Sequence, residues 1–146
     1  MNDTMNTAPT EVAGMDLSAL NTTTLSNKGF DVHIFNPKTQ KDTGITITVL
    51  GQDSDEYKKV QRAQAARSLH AALNTGPKRE QKMVDAAEDN VAEMLAATTA
   101  GWTGCNLNGK EFPFNRANAL HLYENYPLVR DQVLEAQRDR ANFLNA

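Results

Sequence analysis

The sequence predicts an α+β fold, mostly helical, with an N-terminal β-hairpin, two antiparallel long helices and a C-terminal helical hairpin. Three observations predict it. Two β-branched runs, Gly29 to Phe35 and Ile45 to Leu50, alternate apolar and polar residues with a period of two. The stretch from Asp53 to about Ala100 carries its apolar residues at helical spacing. Finally, a loop rich in Gly and aromatic residues, Gly101 to Phe114, divides that stretch from two shorter helical patterns.

Taking the chain in order, residues 1–28 are dominated by Asn, Thr and Ser. They hold too little apolar surface to offset the entropy of ordering, so they read as a flexible polar tail with Leu17, Leu20 and Leu25 as docking points. Residues 29–146 read as a single domain. In its first strand Phe30, Val32 and Ile34 face one way and Asp31 and His33 the other; in its second Ile45, Ile47 and Val49 point inward. Asn36-Pro37 and Asp42-Thr43-Gly44 supply the turn. A lone two-stranded ribbon is marginal in water. It must therefore lie on helices, gain a strand from the tail, or pair its edge with another chain.

Asp53, with Glu56 three residues on, fits a capping box opening the first long helix. Its apolar positions Tyr57, Ala65, Leu69, Ala72 and Leu73 are expected to pack on the second helix. Gly76-Pro77 is a stop-and-restart signal. The second helix carries Met83, Ala87, Val91, Met94, Leu95 and Thr98 as an inward stripe. The loop that follows holds the only Trp, two of five Phe and three of eight Gly, and reads as an apolar plug. Asn115 is placed to cap a short helix that carries Leu120, Leu122 and Tyr123 to Tyr126, and Pro127 to begin the last one, with Val129, Val133, Leu134 and Ala136 and then Phe143 and Leu144.

Composition excludes several function classes. Net charge is −3 and the pI about 5.6, so no global field draws the chain to nucleic acid or anionic lipid. The lone Cys105 excludes an intrachain disulfide and a Cys-based zinc cluster. The chain shows neither a leader-like h-region nor an apolar run of the ~18–20 residues a membrane helix needs, so a cytoplasmic protein is expected.

Gly104-x4-Gly109-Lys110 imitates the start of a phosphate loop, but Glu111 and Phe112-Pro113 follow where a hydroxyl and a helix are needed. His33, His70 and His121 lie on different elements, and none has a second His at helical spacing. The bases from Lys58 to Arg67, with Lys78, Arg79 and Lys82, are balanced by Asp85, Glu88, Asp89 and Glu93. No catalytic, cofactor or metal residue is nominated, and the chain is expected not to be an enzyme.

The order of these fragments resembles the phage tail assembly chaperone family. The likeness runs from about Phe30 to Leu144. It rests on the ribbon with Asn36-Pro37 and Thr43-Gly44, then Gly51-Gln52-Asp53-Ser54, then Gly101-Trp102-x-Gly104, Asn108-Gly109, Pro113-Phe114, Leu122-Tyr123, Pro127 and Arg140-x-Asn142-Phe143-Leu144. The resemblance implies a non-enzymatic helper in the host cytoplasm that binds the tape measure protein and tail-tube subunits during assembly. A chain ending at Ala146 would correspond to the short, unshifted product. By the match, Trp102, Phe112, Phe114, Tyr123 and Phe143 are the shared aromatic framework. Met83 and Met94 are added from the residues themselves as partner-binding candidates, Met being adaptable at such surfaces. Self-association is expected through the ribbon edge. The alternative is a virion structural protein, such as a tail, neck or head-tail connector component.

Overall fold

The computed structural model describes residues 13–73 and 79–145, with the backbone only at 79–84. Five α-helices and two small sheets are present among them. Strands β1 (Phe30–Asn36) and β2 (Lys41–Val49) form the expected hairpin, with Val32 opposite Ile47. Helices α2 (Asp55–Ala72) and α3 (Arg79–Thr98) follow, preceded by a short α1 (Thr23–Lys28).

The expected layout fails after α3. Where a loop was expected to lead into the last two helices, the chain makes β3 (Thr99–Thr103), which pairs antiparallel with β2 and completes a sheet of order β1-β2-β3. A second ribbon, β4 (Asn106–Leu107) with β5 (Lys110–Glu111), comes before α4 (Arg116–Asn125) and α5 (Pro127–Arg138). Thus the third strand of the sheet comes from the Trp-bearing stretch, not from the tail. Its glycines argue for a loop, yet Thr99, Trp102 and Thr103 suit a pleated, half-buried surface, and the unpaired edge of β2 supplies the partner. Helix α3 stops two residues short of Ala100 because the Thr98 and Thr99 hydroxyls donate back to the carbonyls of Met94 and Leu95 at 2.7 Å, a local alternative to continuing the ladder.

The alternation in β1 and β2 places Val32, Ile34, Ile47 and Val49 on the buried face. They meet Ala92, Leu95 and Ala96 of α3, Ala119, Leu122 and Tyr123 of α4, and Val133 of α5. Each large aliphatic side chain so buried contributes roughly 1.5–3 kcal/mol. The opposite face is polar: Thr48 donates to Asp31 and Thr46 bonds His33.

Several local expectations shift. The cap of α2 is Ser54, whose hydroxyl accepts from the Tyr57 amide, and Asp53 turns instead to Arg140 and Thr22. Asn115 caps α4 and Pro127 is the first residue of α5, as local chemistry dictates. The last helix ends at Arg138, and Phe143 sits in a separate 3-10 turn, Arg140–Phe143. Residues 23–28, assigned above to the tail, form α1 and are tied down: the Ser26 carbonyl accepts from the Gly51 amide, and the Asn27 side chain accepts from the Asp55 amide. The Gly76-Pro77 break lies outside the described residues.

Helix α2 departs furthest from expectation. It contacts α3 through polar groups, Gln64 and Arg67 bonding Asn90 and Glu93. Its apolar positions Ala65, Leu69 and Leu73 point to solvent, and α2 buries no residue. No described helix is long and apolar enough to cross a membrane.

Candidate functional site

The residues nominated from sequence divide between core and surface. Tyr123 and Phe143 are buried. Tyr123 donates to the Thr99 hydroxyl, which itself donates to the Leu95 carbonyl. Burial pushes the Tyr123 phenol well above its ordinary range, so it stays a neutral donor. Phe143 closes the far end of the core, edge-on to Phe30 with centroids 6.0 Å apart. Met94 is buried too, inside the core rather than on a groove. The side chain of Met83 lies outside the described residues.

Trp102, Phe112 and Phe114 come together at the surface. Trp102 lies opposite Ile47 of β2, so its inner edge joins the core. Phe112 stacks on it, centroids 5.7 Å apart with ring planes 9° from parallel. Phe114 meets it edge-on at 5.1 Å. The indole N–H donates to the Phe112 carbonyl at 2.8 Å, which fixes the ring without covering it. Two residues that sequence reasoning did not nominate extend the row. His121 of α4 lies 6.1 Å from Phe112, and Tyr126, between α4 and α5, lies 6.2 Å from His121. The row therefore reads Phe114, Trp102, Phe112, His121, Tyr126, with its two ends exposed and Trp102 and Phe112 half-buried.

Local chemistry places each member. The Asn108-Gly109 turn, with φ of 53° and 79°, is the two-residue turn that joins twisted strands, and it folds β5 back on β4. The Phe112 amide then donates to the Cys105 carbonyl, aligning Phe112 with Trp102. Asn118 donates to the Pro113 carbonyl and holds Phe114 at the mouth of α4. On α4, Ala119, Leu122 and Tyr123 face inward, which turns His121 outward. Asn-Gly before a residue pair with strand character was the available signal for this ribbon. The i,i+3,i+4 pattern of α4 was the signal for His121.

A cleft of about 260 Å3 opens beside the row, between Trp102 to Asn106 on one side and Glu111 to Phe114 on the other. Cys105 is a buried lining residue, and burial raises its thiol pKa, which disfavours the nucleophilic thiolate. The phosphate-loop look-alike is thus strand, turn and strand, with no helix following to aim amides at a phosphate. His33, His70 and His121 remain on three separate elements. Among the described residues no three His, Cys, Asp or Glu side chains gather as a metal site. The arrangement can bury apolar or aromatic surface brought to it. No family model, curated protein or solved structure matches this chain.

Proposed function

We propose that this protein is a polypeptide-binding assembly factor of the phage tail assembly chaperone type. In this role it holds the tape measure protein, and tail-tube subunits recruited to it, during tail assembly. The observation that carries the proposal is the aromatic row, which leaves ring surface accessible on a rigid sheet-and-helix base. Aromatic rings fixed by packing contribute large contact area at little entropic cost, which suits repeated capture of an amphipathic helix. A flexible loop of the same composition would lose more freedom on binding.

The test uses the only Trp as its own reporter. Co-expression with the tape measure protein is expected to keep that protein soluble and to co-purify the two, with a shift in Trp102 emission on complex formation. Phe114→Ser, at an exposed end of the row, should weaken capture at least about tenfold, or ~1.4 kcal/mol, while far-UV dichroism stays unchanged. Separate elution of the two proteins, with the tape measure protein equally soluble alone, would overturn the reading.

A further inference from the structure

Among the described residues, two apolar surfaces stand exposed on different elements. The first is the outer stripe of α2. Lys58, Arg62, Ala65, Ala66, Leu69 and Leu73 recur at three- and four-residue steps on the side away from Gln64 and Arg67, which face α3. Leu69 and Leu73 are 71% and 79% exposed, and the two alanines let another backbone approach closely. The second is the segment before α1, where Met15 and Leu17 are 70% and 81% exposed and Leu20 follows on a 3-10 turn.

We propose that the segment ending at Leu20 docks on the α2 stripe of a second copy of this chain, giving self-association by arm exchange. Charge favours the match. Residues 1–27 hold Asp3, Glu11 and Asp16 and no Lys or Arg. From Lys58 onward α2 holds Lys58, Lys59, Arg62 and Arg67 and no acid. Arg67 is paired with Glu93, but Lys58, Lys59 and Arg62 have no ion-pair partner among the described residues. Leucines bring the apolar contact, and the opposite charges set which surfaces meet.

Reach keeps Leu17 and Leu20 from the Leu73 end of the chain's own α2. Thr22 is fixed by its 2.6 Å bond to Asp53, immediately before that helix. The 3-10 turn Leu17–Leu20 advances only ~2 Å per residue, so Leu17 stays within roughly 15 Å of Thr22. Leu69 and Leu73 lie 14 and 18 residues beyond Asp55 along the helix, about 21 and 27 Å away. The leucines of the arm can cover the apolar end of that stripe at Leu73 only on another copy. The contact is argued apart from the aromatic row and does not depend on what the row binds.

The test is a complementation in solution. The full chain is expected to associate with rising concentration in analytical ultracentrifugation, and ~0.5 M NaCl should weaken that association. An arm variant, Leu17→Ser with Leu20→Ser, and a stripe variant, Leu69→Ser with Leu73→Ser, change only exposed positions and should keep wild-type dichroism and Tm. Each alone should be monomeric where the wild type is not. Mixed, the intact arm of one meets the intact stripe of the other, so a 1:1 heterodimer should form and grow no further. A wild type that stays monomeric at ~0.5 mM, variants that associate as the wild type does, or a silent mixture would each overturn the proposal.

Discussion

The side-chain amide of Gln132 pairs with the backbone of Phe35 as a neighbouring strand would. The Phe35 N–H donates to Gln132 Oε1 at 3.0 Å, and Gln132 Nε2 donates to the Phe35 carbonyl at 2.9 Å. One residue of α5 thus caps the outer edge of β1, the edge from which strand-to-strand self-association was expected. An edge so occupied is a poorer template for another chain. Replacing Gln132 by Ala should cost about 1–2 kcal/mol, since two backbone groups lose their partners. Hydrogen exchange at the Phe35 amide should accelerate, and the variant should aggregate more readily on heating. Unchanged exchange at that amide would show that the pair contributes nothing.

Tyr123 and Thr99 allow a directional prediction. The Tyr123 hydroxyl donates to Thr99, and Thr99 donates onward to Leu95. Tyr123→Phe removes the first donor and leaves Thr99 still engaged, so it should cost about 1 kcal/mol. Thr99→Val strands the buried Tyr123 hydroxyl and should cost more, about 2–3 kcal/mol. The double variant should cost less than the sum of the two. Urea unfolding of the four proteins measures this, and equal single effects would contradict the direction assigned.

What could be read in the sequence was local. The inward faces of β1 and β2 follow from period-two alternation, and the starts of α4 and α5 from Asn115 and Pro127. Pairing across the chain left no such mark. Nothing near Thr99 announces that β2 needs a third strand, nor that Gln137 donates to the Leu50 carbonyl and the Thr98 hydroxyl from the last helix. Helix α2 shows the same limit. Its spacing marks Ala65, Leu69 and Leu73 as one face, but Gln64 and Arg67 decide which face meets α3. Within the site, Trp102, Phe112 and Phe114 stood out by composition, whereas His121 and Tyr126 join the row only because α4 turns them toward it.

Gly104 tests the junction between the two ribbons. Its φ is +78°, and a Cβ there would overlap the backbone carbonyl of Gly44. Neither backbone can yield without breaking the pairing of Thr46 with Thr103 next to it. Gly104→Ala should therefore destabilise by more than the ~1–2 kcal/mol that a left-handed conformation alone costs. Gly109→Ala, with nothing within contact distance, should show only that conformational cost. Comparing the two by thermal unfolding separates close approach from backbone strain, and equal losses would place the whole effect in φ.

Asp53 joins three segments: Thr22 donates to it at 2.6 Å from the N-terminal side, and Arg140 reaches it at 2.8 and 3.0 Å from the C-terminal side. The Arg140 guanidinium, and then the Thr22 hydroxyl, hold its carboxyl at about 2, below its ordinary 3.8. Because the folded pKa is the lower one, this pairing stabilises the fold above pH ~4 and is lost as pH falls from ~4 toward ~2. Arg140 is largely exposed, so solvent screening keeps the contribution small. Asp53→Asn should lower the Tm at pH 7 by a few degrees, and the difference from wild type should shrink toward zero as pH falls through that window. Arg140→Ala should behave alike, and the double variant should add little to either. A gap that persists undiminished at pH ~2 would mean that Asp53 acts through its shape and hydrogen bonds, with its charge contributing nothing.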